Sequence, residues 1–149
     1  NINIINSSSM GRLFDAVCAS LDIKHRNCYE GECAAALEAF AKRAKKAYYI
    51  EPTLNPRKII NAVKNAKAPK EEVALGFHYM LSQLILDISK KYDIDKVTLS
   101  GGCFVNRILL SKTQELLEAN GIMVFTNRQV SCGDNGICLG QAYLSAMEE

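Results

Sequence analysis

The stretch VTLSGGCFVNRILL, residues 97–110, joins a β-branched apolar run to a helix-like segment through two adjacent glycines. A second apolar run, IMVFT at residues 122–126, follows Asn120 and Gly121, which are suited to end a helix. The order from residue 97 onward is therefore strand, helix, strand, helix. This order predicts a parallel βαβ unit with a right-handed crossover, and hence an α/β fold.

The rest of the chain adds mainly helices. Apolar spacing and capping residues predict four helices before the first strand: from Ser7–Ser9 to about Leu21, over CAAALEAFAKRAKK after Tyr29–Glu32, over PRKIINAVKNA from Pro56, and most strongly over Pro69–Tyr92. Further helices are expected at about Phe104–Ala119 and over ICLGQAYLSAME at the end. A short edge strand is expected within Tyr48–Pro56, where two prolines interrupt an extended run. The prediction is a helix-rich α/β fold with about six helices and two to three strands.

This sheet is small for a parallel one. Parallel sheets are usually larger and covered on both faces, so the remaining strands are expected in a longer chain. We therefore expect residues 1–149 to be a single domain that is a fragment of a larger protein. The opening NINIIN, residues 1–6, does not look like a native N-terminus. We expect it to be disordered or foreign to the natural chain.

Composition excludes several classes of function. The net charge is +2, with 48% apolar and 23% charged residues, which is ordinary for a soluble globular chain and gives no basic surface for nucleic acid. No apolar run approaches the roughly 20 residues of a membrane-spanning helix, and the start lacks the features of a signal peptide. The six cysteines form no C-x-x-C pair and only two histidines are present, which argues against structural zinc. We expect a cytoplasmic protein with free thiols.

The Gly101-Gly102 junction has two possible interpretations, a phosphate-binding turn and a plain tight turn. A strand that ends in two glycines before a helix exposes backbone N–H groups at the positive end of that helix, which suits a phosphate. Asn106, in the first helical turn, could contact the same ligand. The alternative is a tight turn that needs only a positive φ angle.

Two further stretches carry carboxylates near helix starts. Asp134, in CGDNGICLGQ, either caps the last helix or contacts a metal or phosphate at the same sheet edge. Gly136 and Gly140 lie four residues apart and would allow a close approach of that helix to a neighbour or ligand. Glu30 and Glu32, in YEGE, are either favoured by the helix dipole or accept ribose hydroxyls.

Five stretches together resemble one family. They are SSSMGRLFDAV, YEGECAAALEAFA, GFHYMLSQLI, VTLSGGCFVNRILL and GDNGICLGQAYLSA. In this order they are similar to the C-terminal part of HypF-type carbamoyltransferases, which are hydrogenase maturation proteins. GRLFDAV with YEGE distinguishes that family from TsaD-type tRNA threonylcarbamoyl transferases and antibiotic O-carbamoyltransferases.

The resemblance implies an actin/hexokinase/Hsp70-like fold of two RNase H-like lobes, with an ATP-type nucleotide and a divalent metal (Mg, Fe or Zn) between them. It implies a carbamoyl adenylate made from carbamoyl phosphate and ATP. Its carbamoyl group passes to the C-terminal cysteine of the partner HypE and becomes the cyanide ligand of the [NiFe] hydrogenase iron.

By the same resemblance, Gly101 and Gly102 would lie against the phosphates, Asn106 against the nucleotide, and Glu30 or Glu32 against the ribose. Asp134 would be a metal ligand, although the family reads NDGG or similar where this chain reads GDNG. The family's metal-binding histidines and its N-terminal modules have no match here. The fragment alone is therefore expected to bind nucleotide weakly at most and to be inactive.

Two other hypotheses remain open. The chain could be a non-catalytic module that keeps the motifs but binds a partner protein. It could also be a relative that acts on tRNA or on another O-carbamoyl acceptor, although the low net charge argues against RNA.

Overall fold

The computed structural model describes residues 7–147 as six α-helices, two β-strands and two short 3₁₀ turns. The elements are α1 (Met10–Ser20), α2 (Glu32–Ala41), α3 (Pro56–Lys64), α4 (Lys70–Lys91), β1 (Lys96–Leu99), α5 (Arg107–Ala119), β2 (Met123–Thr126) and α6 (Ile137–Met147), with 3₁₀ turns at Gly102–Val105 and Asp134–Gly136. The prediction of a helix-rich α/β fold with six helices is confirmed. The expectation for residues 1–6 concerns residues outside those described.

The chain divides into two compact units, one ending at Met80 and the other beginning at Leu81. The boundary falls inside α4, so this helix contributes to both units. That residues 1–149 form one domain stays a prediction. Between residues 7 and 147, no helix is both long and apolar enough to cross a membrane.

The first unit is a helical core. α1 packs on α2 and α3, and its Phe14 meets Phe77 of α4 edge to face at 5.0 Å between ring centroids. α3 begins as the sequence predicts, because Pro56 occupies its first turn and Asn55 accepts hydrogen bonds from the next two free N–H groups. The buried apolar side chains are Phe14, Val17, Cys18, Leu21, Cys33, Leu37, Ala41, Ile50, Ile59, Val63, Val73, Ala74, Phe77 and Met80.

α2 is shorter than expected. It ends at Ala41, whereas the sequence suggested a helix through Lys46. Ala41 is the last member of the buried stripe that begins with Cys33 and Leu37, and the one apolar side chain from Lys42 to Lys46, Ala44, is not buried. Packing, rather than helix propensity, therefore sets this end of the helix.

No strand forms between Tyr48 and Pro56, so the predicted edge strand is wrong. The segment is extended, but its Tyr48 N–H donates to the carbonyl oxygen of Glu72 in α4 at 2.9 Å, and Ile50 is buried. Gly76 permits this crossing, since a Cβ there would overlap the Tyr48 carbonyl group. The extended segment is thus attached to a helix instead of to a sheet.

All six cysteines are free, and two of them belong to the first core. Cys18 and Cys33 are buried between α1 and α2. Burial, followed by the neighbouring Cys33, raises the pKa of Cys18 to about 11. Cys18 is therefore an inert, protonated thiol that behaves as a small apolar side chain.

The second unit contains the predicted parallel βαβ unit. β1 and β2 pair in parallel, with Val97 opposite Val124 and Leu99 opposite Thr126, and α5 makes the crossover. One face of this sheet packs on a core formed by Leu86, Leu99, Leu117 and Ile122. The sheet has two strands, at the lower end of the predicted number.

The two helices of this unit also share a buried polar contact. Thr113 of α5 donates its hydroxyl to the Ser82 hydroxyl of α4 at 3.0 Å, and both residues are fully buried. A buried hydroxyl pair satisfies both side chains only in one register of the two helices. The contact therefore fixes how α4 and α5 align.

His78 is expected to make the first unit less stable below neutral pH. Its ring is fully buried and its Nδ1 lies 2.7 Å from the Ala74 carbonyl oxygen, so the histidine is structural. Burial lowers its pKa, against opposing contributions from that hydrogen bond and from Glu38. The unfolded chain binds a proton on His78 more readily than the folded chain does. The contribution of neutral His78 to the free energy of unfolding is therefore present in full above about pH 6.5 and is lost as pH falls, by up to about 1.4 kcal/mol per pH unit.

Urea unfolding between pH 5 and 7.5 measures this effect. His78→Gln should be less stable overall but should have a flatter pH profile than the wild type, because the titrating group is gone. Equal slopes for the two proteins would contradict the prediction.

Candidate functional site

The Gly-Gly turn lies at the carboxyl end of β1, and its first glycine is conformationally required. Gly101 has φ +96° and ψ 163°, a backbone region that only glycine adopts readily. Its N–H donates to the carbonyl oxygen of Cys132 at 2.7 Å. The expectation that both glycines present free N–H groups is thus wrong for Gly101, whose N–H holds the opposite loop.

The next two N–H groups are available. Gly102 and Cys103 open the 3₁₀ turn, and within residues 7–147 neither N–H has a hydrogen-bond partner. A Cβ at Gly102 would meet no atom within 4 Å, so the space beside this residue is open. Two adjacent donors beside open space are suited to an anion.

Asn106 caps α5. The sequence predicted a helix from about Phe104, but a 3₁₀ turn ends at Val105 and α5 begins at Arg107. The Asn106 Oδ1 accepts a hydrogen bond from the Leu109 N–H at 3.0 Å, and the residue is 8% exposed. Its side-chain oxygen therefore has a structural partner, and a nucleotide contact by Asn106 stays a prediction.

Asp134 is exposed and is not the N-cap of the last helix. It is the first residue of the 3₁₀ turn Asp134–Gly136, and α6 begins only at Ile137. Gly136 allows a close approach, as predicted, because a Cβ there would lie 2.5 Å from the Ser131 carbonyl oxygen. Gly140 differs, because nothing lies within 4 Å of its Cβ position.

The turn and the Asp134 loop meet at one end of the sheet. The strands are parallel and in register at Leu99 and Thr126, so the segments that follow them leave from the same edge. A Cβ built on Gly133 would lie 4.0 Å from the Gly102 Cα. An open cleft of about 330 Å³ is lined by Ser100, Gly101, Asn127, Val130, Ser131, Cys132, Gly133, Asp134, Gly136 and Ile137.

Glu30 and Glu32 belong to the first unit and have different surroundings. The Glu32 carboxylate accepts the Cys28 N–H at 2.6 Å and pairs with the Lys24 ammonium at 2.9 Å. The Cys28 N–H, followed by Lys24, holds the pKa of Glu32 below its usual range. Glu32 thus closes the loop before α2, whereas Glu30 lies exposed in that loop.

Asn27 and Cys132 contribute contacts that the sequence did not suggest. Asn27 Oδ1 accepts the Cys33 N–H at 2.7 Å and so caps α2 from a distance, while Gly31, at φ +78°, occupies the cap position. The Cys132 backbone holds Gly101. These contacts depend on loop conformation, which side-chain patterns do not reveal.

A metal site is not complete within the part of the chain that the structure describes. There, no group of three or more His, Cys, Asp or Glu side chains is placed to hold an ion. Asp134 could supply one carboxylate ligand, which suits a hard divalent cation.

The comparisons with known proteins agree on one family. Residues 1–141 match the family described as "Carbamoyltransferase, Kae1-like Domain, second subdomain". The chain belongs to the HypF carbamoyltransferase family. The similarity includes carbamoyltransferase HypF of Synechocystis, which is 34% identical over 145 residues, 91% of this chain and 19% of that protein. The five motifs predicted that this chain is similar to the C-terminal part of HypF, and that prediction is confirmed.

Two solved HypF structures show the same fold. The crystal structure of T. kodakarensis HypF is 30% identical, with a TM-score of 0.78 over 99% of this chain and 21% of that one. A full-length HypF in a phosphate- and nucleotide-bound form is 34% identical, with a TM-score of 0.66 over 93% of this chain and 20% of that one. This chain therefore spans about a fifth of these HypF proteins and adopts their Kae1-like fold.

Proposed function

We propose that this chain forms one wall of the active site of a HypF-type carbamoyltransferase. The wall binds ATP or carbamoyl adenylate, and the carbamoyl group passes to the C-terminal cysteine of a HypE-type acceptor during cyanide ligand synthesis for [NiFe] hydrogenase. The upstream modules of the same enzyme complete the site and make the adenylate from carbamoyl phosphate and ATP. The fragment alone is then inactive, and the enzyme acts in the cytoplasm.

One observation carries the proposal, namely the meeting of the Gly-Gly turn and the Asp134 loop at the carboxyl end of the sheet. The Gly101 hydrogen bond to Cys132 joins them and leaves Gly102 and Cys103 as adjacent free donors. Ligands of open α/β sheets bind at this edge. A nucleotide-bound HypF structure with 34% identity supports a nucleotide as the ligand.

This geometry supports a simple role in the transfer. The acceptor thiolate attacks the carbamoyl carbon, a C–S bond forms, and the bond from that carbon to the phosphate oxygen breaks. The leaving nucleotide phosphate carries the released negative charge. The N–H groups of Gly102 and Cys103 stabilise that charge by hydrogen bonds, which are stronger to an ionised acceptor.

Asp134 and Glu30 complete the proposed contacts in this chain. Asp134 would supply one carboxylate to a divalent cation (Mg, Fe or Zn) whose remaining ligands lie outside residues 7–147. Such a cation, when bound, neutralises phosphate charge. Glu30 would accept ribose hydroxyls, because Glu32 is held by Cys28 and Lys24. Asn106 would act mainly through its cap, which positions the 3₁₀ turn.

Gly102→Ala is expected to weaken nucleotide binding in the full-length enzyme by about tenfold, or about 1.4 kcal/mol. The new methyl group meets no protein atom, so the fold should be unaffected, but it fills the space where a phosphate would approach the backbone. Calorimetric titration with ATP and Mg²⁺ measures the affinity. The 149-residue chain alone should bind weakly at most, because half the site is absent.

Val105→Ala is the matched control, since Val105 is 63% exposed in the same turn and has no glycine-specific space beside its backbone. It should bind as the wild type does. Equal affinities for Gly102→Ala and Val105→Ala would exclude the phosphate contact. Micromolar or tighter binding by the 149-residue chain would show that the site does not need a second wall.

A further inference from the structure

The positive charge of this chain is concentrated in one segment, residues 42–72, which we call the basic segment. It carries nine Lys and Arg residues against three Glu residues, a net charge of +6, whereas the net charge of the whole chain is +2. The rest of the chain therefore has a net charge of −4, with nine Lys and Arg against thirteen Asp and Glu. The cations of the basic segment, all exposed, are Lys42, Arg43, Lys45, Lys46, Arg57, Lys58, Lys64, Lys67 and Lys70.

Most of these cations have no carboxylate partner. Among residues 7–147, two of the nine form ion pairs, Lys42 with Glu38 at 2.7 Å and Lys70 with Asp22 at 3.8 Å. A carboxylate beside a cation offsets its attraction for any other anion, so an unpaired cation attracts an outside anion more strongly. Seven positive charges of the basic segment are therefore available to a binding partner.

The fold brings two parts of the basic segment together at the start of α4. The Tyr48 N–H donates to the Glu72 carbonyl oxygen at 2.9 Å, and this hydrogen bond holds the extended segment against the first turn of the helix. Lys45 and Lys46 come directly before that contact in the sequence, and Lys70 is the first residue of α4. Cations that are more than 20 residues apart in the chain thus flank one hydrogen bond.

The cations of α3 point away from the core. Arg57, Lys58 and Lys64 lie on the face of the helix opposite Ile59 and Val63, whose side chains are buried. The five residues 65–69, which include a further exposed lysine, connect α3 to the start of α4. The helix therefore extends the positive charge of the basic segment along the surface of the first unit.

A lysine-rich surface is expected to stay in water in a longer enzyme as well. Lysine is almost never fully buried without a partner, and protein interfaces are depleted of it. Further modules of the same enzyme should therefore pack on apolar surface and leave the basic segment at solvent. Unpaired charge of one sign acts over about 10 Å at 0.1 M salt and speeds the approach of an oppositely charged partner.

The basic segment suits an acidic protein better than a nucleic acid. Seven of its nine cations are lysines, whereas arginine is the residue that recognises nucleic-acid phosphates with a fixed geometry. Two large side chains lie exposed among the cations, Tyr49 at 77% and Leu54 at 72%. A base can stack on tyrosine but not on leucine, whereas apolar side chains surrounded by a polar rim are typical of protein interfaces.

We propose that the basic segment is a docking surface for an acidic protein, and that this protein is the acceptor whose thiol receives the carbamoyl group. The identity of the partner rests on the proposed function, whereas the acidic character of the partner rests on the charges of the segment. Charges at the rim of an interface act mainly on the association rate. The basic segment therefore makes encounters between enzyme and acceptor more frequent and takes no part in the chemical step.

Stopped-flow association of the full-length enzyme with a HypE-type acceptor, without nucleotide and over a range of salt concentrations, tests the proposal. The association rate constant of the wild type should fall steeply as salt is added. The triple variant Lys45→Glu, Lys46→Glu and Lys67→Glu reverses three exposed charges that have no ion-pair partner among the described residues. At low salt it should associate at least about tenfold more slowly, with a nearly unchanged dissociation rate.

The matched control is Lys90→Glu, Lys91→Glu and Lys96→Glu, which changes the net charge equally at exposed lysines outside the basic segment. Its association rate should stay within about twofold of the wild type, because steering depends on where the charges lie. If charge reversal prevents folding, the same two triples with Gln repeat the comparison with a smaller difference. Equal rates for the two triples would overturn the proposal, as would be found if another module of the enzyme covered the segment.

Two further outcomes identify the partner. Salt-dependent binding of polyuridylate that the segment variant loses, with unchanged association of the acceptor, would overturn the proposal, since the partner would then be a nucleic acid. Association that depends on the segment but leads to no carbamoyl transfer would contradict the proposed function and support the docking. Transfer by the wild type with equal association rates for the two triples would do the reverse.

Discussion

Gly76→Ala is expected to destabilise the first unit by about 3 kcal/mol, at the upper end of the cost of overpacking. The added Cβ would overlap the carbonyl group of Tyr48. That backbone cannot easily withdraw, because the Tyr48 N–H is bound to the Glu72 carbonyl oxygen and Ile50, two residues on, is buried. Urea unfolding followed by circular dichroism measures the change.

Gly11→Ala is the matched control, since it also replaces a helical glycine of the first unit. Its Cβ would meet only the Ser9 hydroxyl, at an ordinary 3.6 Å. Alanine favours a helix over glycine by up to about 1 kcal/mol, so this variant should be as stable as the wild type or more stable. Wild-type stability of Gly76→Ala would show that the Tyr48 segment yields without cost.

The sequence was sufficient where side-chain pattern decides structure. The βαβ order around Val97–Thr126, the start of α3 at Pro56, and the extent of α4 all follow from periodicity and local backbone preference. In each case the buried face of the element is visible in the sequence. The placement of the turn and the Asp134 loop at one sheet edge followed from the parallel order of the strands.

The sequence was insufficient where a backbone group finds a distant partner. Tyr48 to Pro56 has strand-like residues, but its N–H at Tyr48 bonds to a helix carbonyl group. The sequence around Gly101 is typical of a phosphate-binding turn, but the Gly101 N–H donates its hydrogen bond to the Cys132 carbonyl oxygen. Both partners are backbone carbonyl groups, which no pattern of residue types indicates, so only the folded structure identifies them.

The same distinction separates Glu30 from Glu32. The sequence treats them as equivalent carboxylates flanking Gly31. The structure joins Glu32 to Cys28 and Lys24, and these contacts belong to the loop itself. Glu30 remains the carboxylate that a ligand could engage without breaking an existing contact.

Asp134→Ala is expected to reduce carbamoyl transfer by the full-length enzyme by at least about 100-fold, as the loss of a metal-site carboxylate does. The fold should be intact, because Asp134 is exposed and no apolar contact depends on it. Glu118→Ala is the control, since it removes one carboxylate from an exposed position on α5 of the same unit. Transfer rates and melting temperatures of the three proteins give the comparison.

Nucleotide titrations with and without Mg²⁺ show by what route Asp134 acts. Without the cation, Asp134→Ala should bind at least as tightly as the wild type, because the N–H groups of Gly102 and Cys103 need no carboxylate and the variant lacks the repulsion between carboxylate and phosphate. With Mg²⁺, the wild type should bind more tightly and the variant should not, since the cation offsets the repulsion between carboxylate and phosphate only where the carboxylate holds it. A Mg²⁺ effect of equal size in both proteins, with transfer at the wild-type rate, would remove Asp134 from the site.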